Sequence, residues 1–157
     1  MKQIDFDKLF EETIPLENFE LGWRFADENF GTLSIEILRQ LRPLSVEASH
    51  KVYQILSKEI HADFPFKKDL FEEIKAITLS SENISAKELL LTFEIQNSEY
   101  VLLNWGINTS MMVPWGIFIE FYDSFYYPVS DDLTVINSKL EWGILFFHDD
   151  TIYFGRK

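Results

Sequence analysis

The chain contains no cysteine, and only six glycines and five prolines among its 157 residues. The first absence excludes disulfides, thiolate metal sites and cysteine nucleophiles, and it fits a reducing compartment. The shortage of glycine excludes a phosphate-cradling loop, and no G-x-S-x-G nucleophile motif occurs. Four of the six glycines stand beside tryptophan, in Gly22-Trp23, Trp105-Gly106, Trp115-Gly116 and Trp142-Gly143. There they are expected to leave room beside a bulky indole at bends or bulges. No apolar run approaches the roughly 20 residues of a membrane span. Met1-Lys2-Gln3-Ile4-Asp5 also lacks the basic start and apolar stretch of a secretory signal. The expectation is a soluble, cytoplasmic protein with no membrane partner.

Positive charge is the other shortage. Between Lys87 and Arg156 the chain has ten carboxylates and a single basic residue, Lys139. The net charge of −12 divides at Ser80 into −5 (15 acids, 10 bases) and −7 (11 acids, 4 bases). The first part is mixed in sign, as solvated helix faces usually are, whereas the second is one-sided. Binding nucleic acid requires Lys or Arg to displace counterions from phosphate, and these are missing where the aromatic residues are densest. No nucleic-acid partner is expected.

What remains is apolar and aromatic: 46% hydrophobic residues, with fifteen Phe, six Tyr and four Trp. This is the composition of a globular protein, and the length fits one domain, which at this size buries roughly 70% of its unfolded surface. Ile4, Leu9 and Phe10 mark a short helix over 4–12 that ends before Pro15. The segment 18–31, with Trp23, Phe25 and Phe30, is less regular. A helix from Ser34 to Leu41 stops before Pro43. Ser45 caps a longer helix reaching His61, with Val52, Ile55, Leu56 and Ile60 on one face. Leu70, Phe71, Ile74 and Ile77 predict another over 66–77.

Beyond Ser80 the pattern changes. The runs 89–95 and 100–105 read as strands joined by a hairpin loop at Gln96-Asn97-Ser98-Glu99, followed by a short strand at 133–136. Residues 142–148 and 151–154 form a terminal hairpin about Asp149-Asp150; Asp-Asp is weak two-residue turn chemistry and implies a longer loop. Strand 142–147 is apolar on both faces and reads as central. Trp115, Phe118, Ile119, Tyr122, Phe125 and Tyr126 recur at helical spacing after Pro114, although the composition also suits a strand. The fold class is therefore α+β: N-terminal helices packed on a mostly antiparallel sheet that ends in a C-terminal hairpin, helix-rich over 1–80 and strand-rich over 81–157.

For chemistry, His50 and His61 lie eleven residues apart and cannot share a metal. His61 at a helix C-terminus has a structural role, favouring the dipole when protonated. His148, followed by Asp149 and Asp150, could join Asp131, Asp132 and Asp149 as a metal-dependent or acid–base hydrolase site. An aromatic pocket for a small ligand is another possibility, and Ser110-Met111-Met112-Val113 could form an adaptable Met-rich loop. The constellation of widest extent is a partner-binding face: Glu120, Asp123, Asp131, Asp132, Asp149 and Asp150 beside Trp115, Tyr126 and Tyr127. Its acids would steer a basic protein and its aromatics anchor it. No catalytic residue, metal or cofactor is assigned in this reading.

The segment Phe125-Tyr126-Tyr127-Pro128-Val129-Ser130-Asp131-Asp132, followed by Trp142 and the hairpin around His148, resembles small immunity proteins of bacterial toxin systems. The resemblance spans roughly 114–155. It implies a cytoplasmic, non-catalytic binding protein whose basic partner is a toxin such as a nuclease.

Overall fold

Alternation along the strands decides the architecture. In a computed structural model that describes residues 4–26, 33–82, 85–128 and 130–157, seven antiparallel strands form one sheet. They are β1 (Arg42–Pro43), β2 (Glu73–Thr78), β3 (Tyr100–Gly106), β4 (Thr109–Pro114), β5 (Leu133–Ile136), β6 (Trp142–Phe147) and β7 (Thr151–Arg156), in the order β1-β4-β3-β5-β6-β7-β2. Later strands build the centre by local hairpins, and the earlier part of the chain supplies both edges. The expected α+β class is observed. So are the terminal hairpin and the covered position of β6, which pairs with β5 and β7.

Period-two alternation sends successive side chains to opposite faces. Val101, Leu103, Met111, Val113, Leu133, Val135, Ile144 and Phe146 enter one core. Leu102, Met112, Ile136 and Leu145 enter another. The first face is covered by α2 (Trp23–Ala26), α6 (Ala86–Leu91), α7 (Trp115–Glu120) and α8 (Tyr122–Phe125), with Leu38 at the end of α3 (Ile35–Leu38) packed on its margin. The second is covered by α1 (Phe6–Phe10), by α4 (Val46–Ile55) with its π-helical continuation Leu56–Ile60, and by the segment holding Phe66, Leu70 and Phe71. A last short helix, α5 (Leu79–Glu82), follows β2.

Local capping matches the sequence signals. Ser34 accepts from the Ile37 N–H and Ser45 from the Ala48 N–H, each satisfying a helix donor that has no intrahelical partner. The helical reading of 115–126 holds, broken at Phe121 into two short helices with Pro114 at the N-cap of the first. Phe30, Asn83 and Val129 lie outside the described residues.

Three expectations are corrected. Residues 66–77 are not a helix: their second half is β2, paired along its length with β7. Ile74 and Ile77 have helical spacing, but β-branched residues gain more from the open edge of a sheet, and tertiary pairing overrides the period. Residues 89–95 are not a strand, and Gln96-Glu99 is not a hairpin loop; α6 begins at Ala86, capped by Ser85 accepting from the Glu88 N–H. Ser85-Ala86-Lys87-Glu88 carries the S-x-x-E start signal that the apolar run behind it conceals. Ser110-Met111-Met112-Val113 is no surface loop but the buried strand β4. The strand glycines also make room for a ring from elsewhere in the chain. Gly143 and Gly155 are cross-strand partners, and both accommodate the ring of Phe71, where a Cβ would stand 3.1 and 2.2 Å from ring carbons.

Candidate functional site

Two turns at one end of the sheet bring most of the acids together. His148, Asp149 and Asp150 connect Phe147 to its cross-strand partner Thr151, a three-residue loop as the weak Asp-Asp chemistry implied. Asp150 adopts a positive φ of 69°, the position glycine usually takes, and Asp149 accepts from the Thr151 N–H at 3.1 Å. Asp150 also receives the N–H groups of Leu79 and Ser80, at its carbonyl and carboxylate, which ties this turn to the end of β2. The second turn runs from Tyr127 to Asp131, closed by the Asp131 N–H donating to the Tyr127 carbonyl at 3.1 Å.

Tyr126 lies between them, donating its hydroxyl to the Phe147 carbonyl at 3.1 Å. Burial raises its pKa well above the ordinary tyrosine value, and the charges of Asp132, Asp131, Asp150 and Asp149 raise it further. Tyr122 is raised in the same way, by burial first and then by Tyr126, Asp123 and Asp150. Five of the six predicted acids thus act on two neighbouring phenols. The sixth, Glu120, ends α7, where its carbonyl accepts from Lys87 Nζ at 3.3 Å.

Convergence does not make these residues equivalent. Asp123, Asp132 and Asp149 are exposed and Asp150 is half-buried. Asp131 is buried: its two oxygens accept from Arg24 at 2.6 and 3.0 Å, and the Tyr127 N–H donates to it at 2.9 Å. The Arg24 guanidinium carbon sits 3.9 Å from the centre of the Tyr127 ring. Asp131 is therefore a clamp joining α2 to the turn, not a free steering charge. Trp115, 1% exposed, packs against Phe118 and Trp142 at ring distances of 5.7 and 5.6 Å. It is core and offers no docking surface. Tyr126, 5% exposed, is likewise an internal support. Tyr127 alone of the three predicted aromatics reaches the surface, half-buried over Arg24.

The hydrolase set divides for the same reason. Asp132 Oδ1 accepts from both the main-chain N–H and the Nδ1 of His148, each at 2.9 Å, whereas Asp131 is committed to Arg24 on the opposite side. Among the described residues no three metal-ligating side chains converge.

On the second face of the sheet a cavity of about 390 Å³ opens between the end of α4, the segment 61–65 and strands β3, β5 and β6. Its polar floor is built from residues that interrupt otherwise apolar strands. Asn104 donates to the Ser110 hydroxyl and the Gly106 carbonyl, each at 2.8 Å. His61 has Nδ1 2.8 Å from the Pro65 carbonyl and Nε2 2.8 Å from the Thr134 hydroxyl. A carbonyl only accepts, so Nδ1 carries the proton and Nε2 accepts from Thr134. Burial lowers the His61 pKa, against the opposing effect of the Pro65 hydrogen bond. The ring is thus held neutral; its role is structural, as the sequence implied, but as a tether between loop and sheet rather than as a cation on the helix dipole. Arg24, Asn104 and Thr134 escaped sequence reading; the one available signal was a polar residue in the middle of a buried strand or aromatic segment.

Compared with known proteins, the chain matches no family model, no curated protein and no solved structure. Among the described residues no helix is long and apolar enough to cross a membrane.

Proposed function

We propose that the protein is a non-catalytic binder that neutralises a basic protein partner, a bacterial toxin with nuclease activity. The observation that carries this reading is the meeting of two acidic turns at one end of the sheet, where Asp132 accepts from the main chain and ring of His148, next to Asp149 and Asp150, and Tyr126 donates to the Phe147 carbonyl between them. The arginine packed among them, Arg24, is buried and neutralised by Asp131, so it does not present positive charge to a partner. A nuclease is basic where it grips phosphate, and an inhibitor that covers that surface must be acidic there; opposed fields raise association rates by orders of magnitude at low salt. Exposed Asp123, Asp132 and Asp149 supply the field, with half-buried Asp150 behind them and Tyr127 at the edge. Glu120 and Lys87 lie beside one another and contribute less.

The test is capture of the partner from the native cell, followed by association kinetics. The captured protein should be basic, and its association should slow steeply as salt is raised. Asp132→Lys with Asp149→Lys should slow association at least tenfold at low salt and flatten the salt dependence. Asp131 is left unchanged in this experiment because its loss would unfold the clamp. An unchanged rate across the salt series would exclude this face as the interface.

A further inference from the structure

The cavity beside the acidic end has a composition that selects its occupant. Tyr53, Phe64 and Phe147 line it together with Asp63 and Asp132, and no Lys or Arg is among its lining residues. Tyr53 and Phe64 are 39% and 62% exposed, unusual for large apolar side chains, and both face this opening. Asp63 holds the Lys68 N–H with Oδ2, and Asp132 holds His148 with Oδ1. Each carboxylate is thus fixed through one oxygen, and the other has no hydrogen-bond partner among the described residues. His61, the only titratable cation precursor in the lining, is held neutral by burial. The cavity is therefore anionic and walled by rings.

Rings and carboxylates together are the chemistry that binds a guanidinium: its plane stacks on aromatic faces and its fork matches a carboxylate. The molecule contains an internal example. Arg24 stacks on Tyr127 at 3.9 Å and forks onto Asp131. The cavity is also continuous with the proposed interface, since Asp132 belongs to both and the Phe147 carbonyl receives Tyr126. We infer that the cavity receives an arginine side chain of the basic partner, an inference that rests on the acidic-face reading and adds to it a specific anchor point. Arginine is among the residues that dominate binding energy when they fill a desolvated pocket, which is what this cavity offers.

Two probes separate the inference from the reading beneath it: acetyl-argininamide, which can fill a pocket but cannot span a face, and a nona-arginine peptide, which can do both. Both are titrated into the full chain and followed by amide chemical shifts. The amide should perturb Asn104, Thr134 and Phe64 and bind weakly, with Kd on the order of millimolar for so small a ligand. Asp63→Asn and Asp132→Asn should each weaken it by about tenfold, whereas Asp149→Asn, outside the cavity, should leave it unchanged and weaken only the peptide. These substitutions are at exposed positions, and the spectra themselves report that the fold is intact. If the amide leaves the cavity unperturbed while the peptide shifts residues 148–150, the arginine pocket is overturned and the acidic face stands. If the amide fills the cavity but the peptide binds no better than the amide and ignores Asp149→Asn, the pocket stands and the acidic-face reading falls.

Discussion

The two faces of the sheet are built by the same strands and differ in kind. On one, the leucine-rich helix α6 and the aromatic helices α7 and α8 close over the alternating apolar residues, and the Arg24–Asp131 pair is buried. On the other, the same strands carry Asn104, Ser110 and Thr134 among apolar neighbours, and a polar-floored cavity remains open. Asp131 and Asp132 mark the division. They are adjacent in sequence immediately before β5 and point to opposite sides: one is buried with Arg24 and the Tyr127 N–H, the other is exposed beside His148. One face is specialised for stability and the other keeps uncommitted chemistry, and identical residue types acquire opposite roles by one step of register.

Breaking the closed face should cost most. Asp131→Ala leaves the Arg24 guanidinium buried without its partner, a loss of about 3–5 kcal/mol for a buried pair. The equivalent Asp132→Ala should change stability by no more than about 0.5 kcal/mol, as at exposed positions generally. Chemical denaturation of the two variants measures the contrast directly. Equal effects would mean that the division between the faces is not energetic.

The next test is of packing on the open face. Gly155→Ala places a Cβ against the Phe71 ring, and overpacking of this kind costs about 1–3 kcal/mol. If the Phe71 contact is the cause, Phe71→Leu should cost less in the Gly155→Ala background than in the wild type, a coupling that a double-mutant cycle reads. Gly143→Ala, with 3.1 Å to the same ring, should be milder.

Much of this arrangement was legible in the sequence. The sheet and its terminal hairpin followed from alternation and turn chemistry, the α4 helix from Ser45 and its apolar face, and the gathering of acids from their density alone. What failed did so for physical reasons. β2 and α6 have apolar runs of ambiguous period, and a free sheet edge or a capping serine decides between them. Composition does not report which face of a short helix is covered, so it points to Trp115 and Tyr126 as surface anchors when both are core. Charge density groups Asp131 with Asp132 because it is blind to a buried arginine more than a hundred residues earlier in the chain.

The aromatic cluster under the acidic end gives an alkaline signature. Tyr122 and Tyr126 have pKa values raised by burial and nearby carboxylates, above the unfolded value of about 10. A folded pKa above the unfolded one means stability that is complete below pH 10 and lost as pH rises beyond it. In a spectrophotometric titration these two phenols should ionise last and together with loss of structure. Tyr126→Phe should delay that transition; an early, reversible ionisation of all six tyrosines would contradict the sealed arrangement.

The smallest effect lies at the tether of the open face. His61 has a folded pKa depressed below 6.5, so above that pH it is neutral in folded and unfolded chains alike. As pH falls below 6.5 the unfolded chain takes up a proton that the folded chain refuses, and stability declines until the folded pKa is passed. Each unit of difference is worth about 1.4 kcal/mol, less whatever the half-exposed ring recovers from solvent. The neighbouring acid effect occurs at lower pH: Glu73, lowered from 4.5 by its hydrogen bond to Arg156, loses its contribution only as pH falls below that value. The two windows are therefore separable. His61→Gln keeps a donor for the Pro65 carbonyl and an acceptor for Thr134 but cannot titrate. Denaturation midpoints taken between pH 7.5 and 5 should slope downward in the wild type and flatten in the variant. Parallel slopes would show that His61 is reached by protons without opening the loop, and that the floor of the open face is wetter than its burial implies.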